Sequence, residues 1–106
     1  MKQEYNPIRQ MEWNGYKCNV VRNYYSNGRV ALQLFDSQDG TPVATATVNI
    51  EDYPLREDRV LIKSYSENHG LAEALEKEGF IGPELGKINA GHTQVSLHEL
   101  LYLNKK

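Results

Sequence analysis

The stretch from Tyr25 to Ile50 constrains the fold of this chain more than any other. Ser26-Asn27-Gly28 stands at its start, where Asn and Gly tolerate a positive φ and turn the backbone. From Arg29 to Asp36, Val30, Leu32 and Leu34 alternate with Ala31, Gln33 and Phe35, the period of a strand. Ser37 to Thr41, centred on Asp39-Gly40, turns the chain again, and Pro42 enters the next strand where its missing N–H costs least. Val43 to Ile50 is rich in β-branched residues, which suit a pleated surface. Ala44, Ala46, Val48 and Ile50 form its more apolar face, and Thr45, Thr47 and Asn49 the wetter one. The small alanines leave room for a helix to approach. Two such strands joined by a short turn pair antiparallel.

The same punctuation runs through the rest of the chain. Asn14-Gly15 is a two-residue type I′ turn signal between Met11–Trp13 and a strand from Tyr16, on which Tyr16, Cys18, Val20 and Tyr24 share a side. Glu51 to Asp58 is a charged loop broken by Pro54, and Arg59 to Tyr65 reads as a strand. Ser66 or Asn68 is the expected N-cap of a helix, with Glu67 near its positive end; Leu71, Ala72 and Leu75 give it an apolar stripe. Gly79 is the expected C′ residue, with Phe80 and Ile81 tucking back to the core. Gly82-Pro83 and Asn89-Ala90-Gly91 bracket an ill-defined segment, Glu84 to Ile88. Thr93 to about Leu101 reads as a strand with Val95, Leu97, Leu101 and Leu103 on one side, although Leu97, Leu100 and Leu101 also fit a helix over residues 96–103. The order β-β-β-β-β-α-β predicts an α+β domain: an antiparallel meander of about five to six strands, strongly curled, with one helix at about residues 67–78 packed on one face. The expectation is one domain over all 106 residues, with 1–10 a loose N-terminal arm or an edge strand.

Composition narrows the function classes. Twelve basic against fourteen acidic residues give a net charge of −2, which argues against a dedicated nucleic-acid binder. Cys18 is the one cysteine, so no internal disulfide can form, and mid-strand it reads as a small buried hydrophobe. The N-terminus has no apolar signal core, and no apolar run approaches the roughly 20 residues that span a bilayer. The expectation is a cytoplasmic protein, away from membranes.

Chemistry-bearing residues are scattered. His69, His92 and His98 lack metal-ligand spacing and read as surface or turn histidines, so neither a metal nor a cofactor is expected. Ser66, Glu67 and His69 form the densest polar cluster; helix capping accounts for it, and a small hydrolase using Ser66 and His69 is the enzymatic alternative. Aromatic and basic residues interleave around the first long strand: Trp13, Arg22, Tyr24, Tyr25 and Arg29. Cross-strand packing explains such a set, and it also suits a protein-binding surface or weak single-strand nucleic-acid binding.

Tyr25, Asn27, Gly28, Asp39, Gly40, Pro42, Ala44, Thr45, Thr47, Val48, Asn49, Glu67, Asn68 and Gly79 together carry a resemblance. Over roughly residues 16–103 the chain resembles a small domain-of-unknown-function family of gut bacteria, of the Bacteroidetes and Firmicutes type, often carried on conjugative elements and phages. The family offers no catalytic residues to carry over. The resemblance implies an accessory protein of mobile DNA that acts on host defence or transfer machinery. The expectation is a non-enzymatic protein-interaction domain contacting its partner through Trp13, Arg22, Tyr24, Tyr25 and Arg29.

Overall fold

The computed structural model describes residues 9–65 and 68–102. Its elements are β1 (Arg9–Trp13), β2 (Tyr16–Tyr24), β3 (Val30–Asp36), β4 (Pro42–Thr45), β5 (Arg59–Ile62), α1 (Leu71–Lys77), β6 (Ile81–Ala90) and β7 (Thr93–Leu100). They form an antiparallel sheet in the order β1-β2-β3-β4 and a second in the order β5-β7-β6. The α+β class holds. The single, strongly curled meander of five to six strands does not: seven strands divide between two sheets, and neither is strongly curled. The meander ends at β4, because β5 takes its ladder from β7.

The turns follow from backbone geometry. Asn14 at φ 53° and Gly15 at φ 84° are both left-handed, as a type I′ hairpin between β1 and β2 requires. Arg9 and Gln10 belong to β1, an edge strand of the first sheet, as the edge-strand reading of residues 1–10 expects, while residues 1–8 lie outside the described chain.

The strand expected over Val43–Ile50 stops at Thr45, and the reason joins the two sheets. The Ala46 N–H donates to the Leu32 carbonyl at 2.8 Å, while the Ala46 carbonyl accepts the Lys63 N–H at 2.8 Å. Thr47 bridges Ile62, and the Val48 N–H donates to the Leu61 carbonyl at 3.0 Å. Residues 46–48 thus hydrogen-bond β3 on one side and β5 with its extension on the other. Alternation fails at this seam: Ala46 and Thr47 are both buried, which corrects the placing of Thr47 on a wet face. Its hydroxyl has a task there. The Leu32 N–H has run past the β4 ladder and donates to Thr47 Oγ1 at 3.2 Å. Tyr25 closes the group, its hydroxyl 2.9 Å from Thr47 Oγ1 and 3.2 Å from the Thr47 carbonyl.

The helix is shorter than expected and starts later. Gly70, at φ 83°, occupies its N-cap position without a side-chain cap. Asn68 is not the cap; it is buried, and its Nδ2 donates to the carbonyls of Thr45 (3.0 Å) and Lys63 (3.3 Å). Ser64 serves the first turn instead, accepting the Ala72 N–H at 3.1 Å. Ser66 and Glu67 lie outside the described residues. The C-terminus follows the sequence: Gly79 is left-handed, its N–H donates to Glu76, and the Phe80 N–H donates to Leu75, both at 3.0 Å. This is a Schellman closure, and it delivers Phe80 into the core.

The segment from Glu84 to Ile88 is no irregular linker but the middle of β6. Two register shifts against β7, at Ile81/Glu84 and Glu84/Gly86, absorb Gly82 and Pro83. Residues 96–100 are strand, paired on both sides. One apolar cluster draws Val20, Leu32 and Leu34 from the first sheet, Val60, Ile62 and Ile81 from the second, and Leu71 and Leu75 from α1. A C-terminal clasp adds Tyr102, which packs edge-on to Phe80 at 5.0 Å and donates from its hydroxyl to the Val20 carbonyl at 3.0 Å. No described helix is long and apolar enough to cross a membrane.

Thr47→Val keeps the β-branched shape and removes the acceptor of a buried N–H. Stability is expected to fall by about 1–3 kcal/mol in urea denaturation, and Thr47→Ser should retain most of it.

Candidate functional site

Four of the chain's five arginines line one cleft of about 410 Å³, and among the described residues no lysine does. Arg22 comes from the end of β2, Arg29 from just before β3, Arg56 from the loop preceding β5, and Arg59 from its first residue. The β2–β3 turn forms the rim, where left-handed Gly28 lets the Arg29 N–H reach Asn27 Oδ1 at 3.2 Å. Tyr24 stands on the same rim, 55% exposed, with the Arg22 guanidinium 5.5 Å from its ring centre.

The four guanidinium groups are held differently. Arg29 is a brace: Nη1 donates to the Ile50 carbonyl at 2.7 Å and Nη2 to the Tyr53 carbonyl at 2.6 Å. Arg56 and Arg59 share one carboxylate, with Asp58 Oδ1 at 3.3 Å and 3.7 Å from their Nε atoms. Arg22 donates from Nη1 to the Tyr102 carbonyl at 3.4 Å. The Nε groups of Arg22 and Arg59 are buried and have no hydrogen-bond partner among the described residues. A buried donor on a cation left without an acceptor is costly. The cleft is therefore electropositive and under-satisfied.

The five expected contact residues divide. Arg22, Tyr24 and Arg29 meet at this cleft. Tyr25 is committed through its hydroxyl to Thr47. Trp13 pairs with Tyr16 at the opposite end of β2 and packs against the core, about 20 Å of strand away from Arg22. Sequence reasoning missed Arg56 and Arg59 because they sit in and beyond a segment that reads as a solvated charged loop. The detectable signal was the clustering of arginine rather than lysine around two turn segments.

A second cleft, of about 320 Å³, lies between the start of α1 and the second sheet, with His69, Glu73, Lys87 and Ser96 among its lining residues. His69 is exposed, and Lys87 Nζ pairs with Glu84 Oε1 at 2.8 Å. His98 is no surface histidine; it is 1% exposed. Both faces of β7 bury side chains: Ser96, His98 and Leu100, opposite Ile62, Val60 and Ile81, lie on one, and Val95, at 1% exposure, on the other. His98 Nδ1 lies 2.8 Å from the Gly82 carbonyl, which can only accept. In the neutral ring, Nε2 therefore accepts from Ser96 Oγ, 2.7 Å away. A hydroxyl hydrogen-bonded to an imidazole whose far nitrogen is fixed is a nucleophile–base geometry. It is equally a closed way of satisfying three buried polar groups.

Elsewhere the chemistry is subdued. Burial, and then the Asp36 charge, push the Cys18 thiol up, which disfavours the thiolate. Hydrogen bonds from the Thr41 N–H and hydroxyl hold the Asp39 carboxyl below its ordinary value, within a turn. Among the described residues, no three His, Cys, Asp or Glu side chains are grouped to hold a metal ion.

Ser96→Ala leaves His98 Nε2 buried without a donor and should lower stability by about 1–3 kcal/mol in urea denaturation. Gln94→Ala, at an exposed position near the start of β7, should stay within about 0.5 kcal/mol.

No family model matches the chain, and neither a curated protein nor a solved structure was found to match it.

Proposed function

We propose that the chain is a non-enzymatic binding domain that docks an acidic segment of another protein in the arginine cleft. The observation that carries this reading is the convergence of Arg22, Arg29, Arg56 and Arg59 beside exposed Tyr24, on a chain whose net charge is −2. Charge of one sign gathered in a concave site, against the balance of the whole molecule, favours an oppositely charged partner and speeds its approach. Tyrosine and arginine are also the residue types that dominate binding energy at protein interfaces. Arg29 and Gly28 form the rigid side of the cleft, whereas Arg56, with a side chain 69% exposed, is free to follow a ligand. The accessory role on mobile DNA implied by the sequence resemblance fits a small domain that works by occupying a partner.

A second reading, a small hydrolase, is favoured by the Ser96–His98 pair rather than by the helix-start cluster, whose described member His69 lines the second cleft. On this reading His98 takes the Ser96 proton as Ser96 Oγ attacks an ester, and returns it to the departing alcohol.

Affinity capture separates the two. Tyr24→Ala and Arg56→Glu are expected to lose, by at least tenfold, the proteins that the parent chain retains, whereas Leu85→Ala on β6 should lose none. A retained set that is indifferent to the cleft variants overturns the docking reading. Treatment with a fluorophosphonate, followed by intact-mass measurement, tests the alternative: one adduct, absent from Ser96→Ala and His98→Gln, is the hydrolase result, and an unlabelled parent chain excludes it.

A further inference from the structure

Resting on the docking reading, we infer that the arginine cleft takes a phosphomonoester group on its partner protein, with Arg22 and Arg59 as the residues that grip it. The argument begins with the two orphaned donors. The Nε groups of Arg22 and Arg59 are buried on one cleft without a hydrogen bond among the described residues, Arg59 Nε having Asp58 Oδ1 at ion-pair distance, 3.7 Å away. An oxyanion held between these side chains would supply acceptors to both, each donating from Nε together with a terminal nitrogen. That paired donation is the geometry in which arginine binds phosphate and carboxylate, and it separates arginine from lysine. Among the described residues, every cation of the cleft is an arginine.

Charge chooses between the two oxyanions. Four guanidinium groups face two carboxylates, Glu57 in the cleft wall and Asp58 between Arg56 and Arg59, which leaves a surplus of two positive charges. A phosphomonoester carries about −1.5 to −2 at pH 7 and offers three strong acceptor oxygens. It neutralises that surplus, whereas one side-chain carboxylate leaves half of it. A nucleic-acid backbone fits less well. Its phosphodiesters bring one charge each and bind along basic tracks, while the positive surplus here is confined to one cleft with a single exposed aromatic, Tyr24, to stack on.

The test uses the ¹⁵N-labelled chain and three short peptides that differ only in a central phosphoserine, glutamate or serine. Titrating the phosphoserine peptide should shift the Nε–Hε signals of Arg22 and Arg59 saturably, with affinity at least tenfold above the glutamate peptide, and the serine peptide should shift neither. Arg22→Lys keeps the charge and loses Nε; with an unchanged backbone spectrum, it should weaken the phosphoserine peptide at least tenfold. Equal affinity for phosphoserine and glutamate, or no loss in Arg22→Lys, overturns the inference. Tighter binding of a short oligothymidylate than of the phosphopeptide reassigns the cleft to single-stranded nucleic acid and overturns it too. Phosphatase treatment separates this inference from the reading beneath it. A captured partner that survives phosphatase yet is lost by Arg56→Glu overturns the phosphoryl assignment and leaves docking intact, and a partner indifferent to Arg56→Glu overturns both.

Discussion

Everything in this molecule hangs on three residues, 46–48, whose backbone is shared between two sheets. Ala46 gives its N–H to β3 and its carbonyl to the chain leaving β5, and Val48 completes the pairing. Without that exchange, β4 would end as an open edge and β5 would have β7 as its sole neighbour. The cost of the exchange is a lost backbone acceptor at Leu32, and Thr47 meets it with a side-chain oxygen. Thr47 is the residue there whose buried hydroxyl takes the Leu32 N–H and reaches the Tyr25 hydroxyl. The seam also sets where the cleft is. It fixes the spacing between the β2–β3 turn and the start of β5, and these two places supply its arginines.

The arginines divide their work. Arg9 accounts for the one outside the cleft, lying 4.2 Å over the Phe80 ring while donating to the Glu78 carbonyl at the end of α1. There it stabilises a helix C-terminus, where a cation is favoured, and covers the core at once. Arg29 is likewise structural through its two carbonyl partners, although it lines the cleft. Arg22 stands between these roles. It touches the C-terminal clasp at the Tyr102 carbonyl, and the same side chain faces the site. Binding in the cleft and docking of the C-terminal clasp therefore share a group.

How much of this could be read from the sequence depended on how local each determinant was. The Asn14-Gly15 hairpin, the Gly79 helix end and β2 and β3 were legible because each is fixed by the conformational freedom or periodicity of a few adjacent residues. Thr47, Asn68 and His98 were misread because their burial comes from partners 15 or more residues away, at Leu32, Thr45 and Gly82. A polar residue carries no local sign that it will be enclosed. The cleft was half legible. Arg22, Tyr24 and Arg29 flank one turn and announced themselves, whereas Arg56 and Arg59 reach it through the seam.

The strand that the sequence concealed most thoroughly is β6, and what concealed it has a purpose. Gly82 and Pro83 stand as breakers just before the segment, so it did not read as β structure. In the fold, β6 is the outer strand of its sheet, and its ladder is interrupted where those residues fall. A flat outer strand offers its free N–H and C=O row to any passing chain and seeds cross-molecular β-pairing. Proline withholds a donor, the bulges twist the row out of line, and Lys87 with Glu84 adds charge. The residues that made β6 invisible as a strand are the ones that guard this small, sheet-rich protein against aggregation along that edge.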